Sequence, residues 1–258
     1  GIDSNSIISI AKKDFNINFN TFSIIQKNSN YDELDKITLS QKHLKLDHQN
    51  VFVNNNKDKL DDFEKLINYY EEPIATSNYF YQNYLMREIK KKGIKVVFSG
   101  TGADEIFSGY YDHINQYLFC MRKENNFQKI LREFQDKALS YVNNPILKNP
   151  YYYIEDKEKR EHLYPYINFK NILKKKNNIK SFFEESYSKD LMRNRMLNEL
   201  FHEGVPICLN SEDKNAMFHS IENRSPFLDK DLVEFLYTVP TKHLMKYNRT
   251  KSILREVV

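Results

Sequence analysis

The sequence predicts an α/β fold, a doubly wound parallel sheet, followed by a mainly helical part. Over residues 1–112, short β-branched and aromatic runs alternate with helical patterns, which is typical of a parallel sheet with right-handed crossovers. From about His113 to Phe201 the chain shows helical periodicity and many aromatic residues but no strand pattern. We therefore expect an α/β region at 1–112 and a mainly helical region at 113–258.

The composition limits what the chain can do. A chain of 258 residues with a net charge of +4 can form one large core or two modest ones. No apolar run approaches the roughly 20 residues that span a bilayer, and no signal-peptide pattern opens the chain. Cys120 and Cys208 lack a metal or redox spacing, so we expect a reduced, cytoplasmic location. The lysine runs at 90–92 and 174–176 are interpreted as solvated faces, so a nucleic-acid partner is not expected.

The elements of the first region follow from local patterns. Apolar spacing predicts helices, β-branched runs predict strands, and Glu72-Pro73 and Gly93 predict helix ends. In chain order we expect a helix from Asn5 onward, a strand at 20–25, a helix at 32–43, a strand at 48–53, helices at 60–70 and 78–92, and a buried strand at 96–98.

The second region reads as helices joined by turns. We expect a helix at 193–203 that ends at 204–206 (Gly-Val-Pro), and two more at 232–236 and 251–257. The aromatic run at 151–153 is interpreted as core or lid packing rather than as a pocket lining. The histidines show no ligand spacing and are interpreted as structural or exposed.

Residues 99–102 (Ser-Gly-Thr-Gly) directly follow the strand at 96–98, and Asp104 and Glu105 come next. The carboxyl end of a parallel strand is where an open α/β sheet binds its ligand. Glycines allow a close approach to that ligand, and paired carboxylates suit a hard cation such as Mg²⁺ beside phosphate. The alternative interpretation is a strand, a turn and the start of a helix without a ligand. Asp104 and Glu105 would then be favoured by the positive end of the helix.

The chain opens with Gly1, Asp3 and Ser4 before an amphipathic helix. Backbone N–H groups, a hydroxyl and a carboxylate at a helix N-terminus suit a phosphate with a metal on the acid. Asp3 or Ser4 acting as an ordinary N-cap would explain the same residues.

These stretches resemble two known patterns. Residues 1–4 resemble the end of the Ser-Gly-Gly-x-Asp-Ser pyrophosphate loop of N-type ATP pyrophosphatases. Residues 99–110 resemble the Ser-Gly-x-Gly-x-Asp-Glu-x-Phe-x-Gly-Tyr segment of the asparagine synthetase family. Residues 222–229 (Glu-Asn-Arg-Ser-Pro-Phe-Leu-Asp) and 251–255 (Lys-Ser-Ile-Leu-Arg) resemble two further segments of that family, in the same order.

The resemblance implies an adenine nucleotide alpha hydrolase-like fold and a glutamine-hydrolysing, asparagine synthase-type ligase. Members of the family adenylate a carboxylate with ATP, release pyrophosphate, and aminate the intermediate with ammonia. The implied metal ligands for Mg²⁺ are Asp3 and Asp104. The implied nucleotide contacts are Gly1, Ser4, Ser99, Gly100 and, at the adenine ring, Ile24.

Glu222 and Arg224 stand in a segment that is polar for a core, so we assign them to catalysis with Asp3 and Asp104. A structural buried ion pair between them, or with Asp229, is the alternative interpretation. The resemblance also implies ammonia supplied by a glutaminase domain or subunit outside this chain, and it is compatible with a homodimer. Since residues 1–4 begin in mid-motif and a basic segment of the family should follow residue 258, we expect an incomplete enzyme.

Two departures concern the substrate. Asparagine synthetases proper carry Glu at the position of Thr101, and a Thr-x-x-Arg segment for aspartate that aligns roughly with Ile74 and Ser77. Ile74 offers no hydrogen-bond donor to a carboxylate. The sequence therefore predicts amide formation more firmly than it predicts aspartate as the acid. A pyrophosphate-loop enzyme that modifies transfer RNA, or a non-catalytic remnant of the fold, remains as an alternative.

Overall fold

The computed structural model describes residues 1–26, 33–53, 59–163, 183–246 and 249–258. In these ranges the chain forms four short strands and a larger number of helices. The strands are β1 (Asn20–Ile25), β2 (Asp47–Phe52), β3 (Val96–Phe98) and β4 (Glu222–Arg224). The α-helices are α1 (Ile2–Lys13), α2 (Leu34–Leu44), α3 (Lys59–Tyr70), α4 (Ser77–Lys91), α5 (Ala103–Phe107), α6 (Tyr111–Met121), α7 (Phe127–Glu133), α8 (Tyr152–Glu155), α9 (Leu191–Phe201), α10 (Gly204–Phe218), α11 (Lys230–Thr238) and α12 (Ser252–Val257).

The chain divides into two compact units. The first contains Gly1–Thr101 and Pro206–Pro226 together with Val258, and the second contains Gly102–Val205 and Phe227–Val257. All four strands belong to the first unit, and the described part of the second unit is built from helices and loops. The division into domains at residue 112 stays a prediction.

The strands of the first unit pair in parallel, as the alternation of strands and helices predicts. β1 pairs with β2, with Ile24 opposite Val51, and β3 pairs with β4, with Val97 opposite Asn223. These pairs are two separate two-stranded sheets among the described residues. Parallel α/β pairing is therefore confirmed, while one continuous doubly wound sheet stays a prediction.

Each unit has its own apolar core. In the first unit, helices α4 and α10 contribute Met86, Ile89 and Ala216 to a cluster that also contacts Phe22 of β1 and Val97 of β3. The core of the second unit is larger, and its fully buried members include Ile114, Leu118, Phe134, Tyr153, Met192 and Leu244. Tyr152 and Tyr153 are buried in it, so core packing is confirmed for those two tyrosines, whereas Tyr151 is exposed.

Several local predictions are wrong in instructive ways. Helix α1 begins at Ile2 rather than Asn5, so Asp3 and Ser4 lie inside its first turn. The strand at 96–98 exists but is not buried: Val97 packs on the core, while Val96 and Phe98 lie on the opposite, exposed face. Residues 204–206 start helix α10 instead of ending α9, since proline is tolerated in a first helical turn.

The described part of the chain contains no helix that is both long and apolar enough to cross a membrane.

Candidate active site

Two of the sequence motifs meet inside the first unit. A Cβ atom added to Gly100 would lie 2.8 Å from Cβ of Asp3 and 3.2 Å from the backbone nitrogen of Ser4. The loop that follows β3 therefore lies against the first turn of α1, and only glycine fits at this point. Gly1 is the N-cap of this 12-residue helix and makes no side-chain hydrogen bond to it. The first-turn N–H groups can thus face an anion.

The hydroxyl groups of the same loop converge on one carboxylate. Thr101 Oγ1 donates to Glu212 Oε1 at 2.6 Å, and Ser99 Oγ donates to Glu212 Oε2 at 3.1 Å. Asn223 Nδ2 donates to Glu212 Oε2 at 2.9 Å. Glu212 comes from helix α10 and is buried. The loop is consequently fixed by a side chain more than a hundred residues away in sequence.

Strand β4 brings Glu222 and Arg224 to one face of the second sheet. Arg224 Nη2 lies 2.6 Å from Glu222 Oε1, and the side chains are 62% and 55% exposed. An ion pair between them was one interpretation of the sequence, but as a buried pair it is wrong. The two side chains meet because residues i and i+2 of a strand share a face, and this face of both strands is exposed. The backbone carbonyl of Arg224 accepts a hydrogen bond from the Ser99 N–H at 2.9 Å, which extends the strand pairing into the loop.

In the second unit, Asp104 forms an ion pair with Lys251, which lies outside the predicted set of site residues. Lys251 Nζ lies 2.7 Å from Asp104 Oδ1, and the side chains are 7% and 36% exposed respectively. A Cβ added to Gly109 would overlap Asp104 Oδ1 and Lys251 Cε. A larger residue before Tyr110 would therefore displace the side chains of this ion pair from their present positions.

Glu105, next to Asp104, points into the protein. It is buried, and Tyr110 Oη donates to its Oε1 at 2.5 Å. Burial raises the pKa of the Glu105 carboxyl above its usual value, and burial beside Glu105 likewise raises the pKa of Tyr110. The two neighbouring acids thus differ: Asp104 is accessible and paired with a cation, whereas Glu105 supports the fold.

A network of buried charges lies between α6 and α9 of the second unit. His113 Nε2 lies 2.6 Å from Glu199 Oε2, and Arg195 Nε lies 3.1 Å from Glu199 Oε1 and 3.5 Å from Asp112 Oδ2. Burial opposes the charge on Asp112, but the hydrogen bond from His162 and the charges of His113 and Arg195 hold the pKa of this carboxyl below its usual value.

The group formed by Asp112, His113 and Glu199 has a donor set and spacing that could hold a metal ion. However, Arg195 already lies within ion-pair distance of both carboxylates, and a bound cation would be repelled by it. We therefore interpret the group as a structural ion network, in line with the expectation that the histidines are structural.

The sequence model of the asparagine synthase family matches residues 1–258. The chain belongs to the asparagine synthase family. It is 23% identical, over 273 aligned positions, to asparagine synthetase [glutamine-hydrolyzing] 1 of Bacillus subtilis, with 99% of this chain and 42% of that protein covered.

A second relative is a protein of Methanocaldococcus jannaschii with the provisional name asparagine synthetase [glutamine-hydrolyzing] 2. It is 31% identical over 137 positions, which cover 51% of this chain and 25% of that protein. The chain thus spans less than half the length of each of these curated relatives.

The remaining predicted positions of this asparagine synthase family member lie as follows. Ile24 is a half-buried residue of β1. Ile74, which the sequence analysis aligns roughly with the Thr-x-x-Arg segment of the family, packs against the apolar cluster of Leu66, Tyr70 and Phe80. Sequence reasoning missed Glu212 and Lys251 as site residues. Lys251 carries a sequence signal, as the first residue of the Lys-x-x-Leu-Arg segment, whereas nothing local distinguishes Glu212 from other helix acids.

Proposed function

We propose that this family member catalyses ATP-dependent amide formation. A carboxylate oxygen of the acid substrate attacks the α-phosphorus of ATP, and the bond to the bridging oxygen breaks to release pyrophosphate. Ammonia then attacks the acyl carbon, AMP leaves with the bonding electron pair, and a proton is lost to solvent. The ammonia would come from a glutaminase domain or subunit outside this chain.

The observation that carries the proposal is the close approach of Gly100 to Asp3 and Ser4 within the first unit. Two motifs that are about a hundred residues apart, and that resemble nucleotide-binding segments, meet there with backbone N–H groups and a carboxylate. This transfer needs positioning and charge neutralisation more than it needs a protein nucleophile. We propose Gly1, Ser4, Ser99 and Gly100 as contacts of the phosphates and nucleotide, and Ile24 as the contact of the adenine ring.

Mg²⁺ would accompany the nucleotide and neutralise charge on the departing pyrophosphate. Asp3 and Asp104 supply carboxylate oxygens of the kind that Mg²⁺ prefers. Lys251 Nζ already lies 2.7 Å from Asp104 Oδ1, so Mg²⁺ would have to bind the other oxygen of Asp104 or displace the lysine. We propose each of these two acids as a Mg²⁺ ligand. Lys251 adds a fixed positive charge beside Asp104, and Glu222 and Arg224 remain the proposed catalytic pair on β4.

The acid substrate is proposed to be a carboxylate other than, or in addition to, aspartate. Thr101 and the apolar packing of Ile74 depart from the pattern of asparagine synthetases proper, and Ser77, the aligned partner position, begins α4. These positions offer no cation for the second carboxylate of aspartate.

The experiment is product analysis of the full-length gene product with ATP, Mg²⁺, ammonia and a panel of acids. The proposal predicts acid-dependent formation of AMP and pyrophosphate in equal amounts, and its loss in Asp3→Asn and Asp104→Asn. Asp61→Asn, an exposed acid of α3, is the matched control and should retain activity. ADP and inorganic phosphate as products would exclude adenylation, and a lack of ATP binding would favour the non-catalytic remnant.

A further inference from the structure

Glu212 is a buried carboxylate whose hydrogen-bond partners among the described residues are all neutral. Glu212 is 9% exposed, and it takes part in none of the ion pairs among the described residues. Removing a carboxylate from water is costly unless hydrogen bonds replace its hydration. The two hydroxyls and the amide that donate to Glu212 supply that replacement, so its burial depends on the elements that carry these donors.

Those donors come from two different parts of the chain, the loop after β3 and strand β4. Ser99 and Thr101 belong to the loop after β3, and Asn223 belongs to β4. Ser225, directly after β4, has its Oγ 3.2 Å from Ser99 Oγ. A carboxylate only accepts hydrogen bonds, so the Ser99 hydroxyl donates to Glu212 and accepts from Ser225. One side chain of α10 thereby links the loop to β4.

The residue between the two hydroxyl anchors is the one that approaches α1. Gly100 lies between Ser99 and Thr101 in the chain, and its Cα faces Asp3 and the backbone nitrogen of Ser4. The Ser99 N–H is also held by the Arg224 carbonyl. Fixing residues 99 and 101 therefore fixes the position of Gly100 relative to the N-terminal turn of α1.

We propose that Glu212 is a positioning residue that holds residues 99–101 against the N-terminal turn of α1 and so organises the nucleotide contacts there. That the ligand is a nucleotide rests on the proposed function. That Glu212 holds the loop rests on the geometry alone. It also accounts for Thr101: where asparagine synthetases proper carry Glu on the loop, this chain carries a hydroxyl and supplies the carboxylate from α10.

The first experiment measures the loop without any ligand. Hydrogen exchange of the backbone amides of residues 99–102 is followed in the wild type, Glu212→Gln, Thr101→Val and the double variant. A lost hydrogen bond to a charged group corresponds to roughly a tenfold or larger change in an opening equilibrium. We expect about tenfold faster exchange in each single variant and little further change in the double variant. Glu88→Gln, which alters an exposed pair with Lys91 on α4, is the matched control.

The second experiment measures equilibrium binding of ATP with Mg²⁺ by the same variants of the full-length protein. We expect the dissociation constant to rise about tenfold in Glu212→Gln and to stay within twofold in Glu88→Gln. A variant that combines Thr101→Glu with Glu212→Gln moves the carboxylate onto the loop. It should recover most of the lost exchange protection and affinity, whereas Thr101→Glu alone places two carboxylates together and should be the weakest binder.

The outcomes separate the two proposals. If Glu212→Gln changes neither loop exchange nor ATP affinity beyond twofold, Glu212 does not position the loop. Faster exchange without any change in ATP affinity would show that the held loop is not a nucleotide contact, which also overturns the inference. If the wild type binds no ATP, the proposed function fails, and the exchange data alone decide whether Glu212 holds the loop. Thermal unfolding of each variant verifies that it is folded.

Discussion

The carboxylates of two buried glutamates, Glu212 in the first unit and Glu199 in the second, are stabilised by opposite kinds of partner. Glu199 is paired with Arg195 and His113, both on helices of the same bundle. Glu212 is held by hydroxyls and an amide from a loop and a strand end. Removing one member of the charged network leaves a buried charge without a partner, whereas removing the Glu212 charge mainly releases a loop. We therefore expect substitutions in the Glu199 network to lower the free energy of unfolding more than substitutions at Glu212, and substitutions at Glu212 to act mainly on the loop.

The largest effect is expected from Arg195→Met. Arg195 also contacts Glu184 and Glu203, so its removal takes the guanidinium away from four carboxylates at once, two of which, Asp112 and Glu199, are buried beside it. Breaking a buried ion pair by removing one partner costs about 3–5 kcal/mol. Urea unfolding followed by circular dichroism should show this loss of stability. The exposed Arg122→Met is the control, and equal stability of the two variants would mean that the network contributes little.

The same substitution of glutamine for glutamate at Glu199 and at Glu212 should give a smaller difference in the free energy of unfolding, but a more direct one. Glu199→Gln should lower the free energy of unfolding by about 2 kcal/mol, since hydrogen bonds to charged partners are lost. Glu212→Gln should lower it by about 1 kcal/mol, because an amide oxygen still accepts from neutral donors. Denaturant titrations of the two variants measure this difference. A larger loss of stability in Glu212→Gln than in Glu199→Gln would contradict the expected contrast between the two glutamates.

The stability of the protein is expected to depend on pH through His113. Burial opposes the charge on His113, but Glu199 and Asp112 outweigh it and raise the pKa of this imidazole, while Arg195 acts in the opposite sense and Tyr110 packs on the ring. A pKa that is raised on folding stabilises the protein below the unfolded value of about 6.5. That stability is lost as the pH rises through the folded value.

The free energy of unfolding of the wild type should therefore fall as the pH rises above about 6.5, and His113→Asn should flatten this dependence. The exposed His43→Asn should leave the profile unchanged. On the acid side, the lowered pKa of Asp112 predicts stability that is present above about pH 3.9 and lost as the pH falls further. A His113→Asn profile identical to that of the wild type would exclude a charged His113–Glu199 pair.

The smallest effect on stability is expected for Arg224→Met. Its ion pair with Glu222 is exposed, and exposed pairs contribute about 0–1 kcal/mol. Acid-dependent release of pyrophosphate should nevertheless fall at least about tenfold if Arg224 stabilises developing charge. Arg132→Met, an exposed arginine of α7, serves as the control for both measurements. A variant that keeps full activity would remove Arg224 from the proposed catalytic pair.

Local patterns predicted most elements well. The strand at 20–25 and the helix ended by Gly93 are found as expected, because β-branched runs and a C-terminal glycine act over a few neighbouring residues. The helix starts at residues 2 and 204 were missed, since Gly1 caps without a side chain and Pro206 fits a first turn as well as a helix end. The exposure of Val96 and Phe98 was missed because it depends on which face of a strand is covered, and that is decided by distant elements.

The sequence by itself determined the family, the α/β character and the motifs that carry Asp3, Ser99, Gly100 and Asp104, because these reside in short ordered segments. The tertiary structure decided which groups meet. It placed Gly100 against Asp3 and Ser4, and it paired Asp104 with Lys251. It also made Glu212 the acceptor for the loop hydroxyls. The physical reason is that a carboxylate on a helix carries no local signal of its partners, and its role arises only when the chain buries it among donors that are remote in sequence.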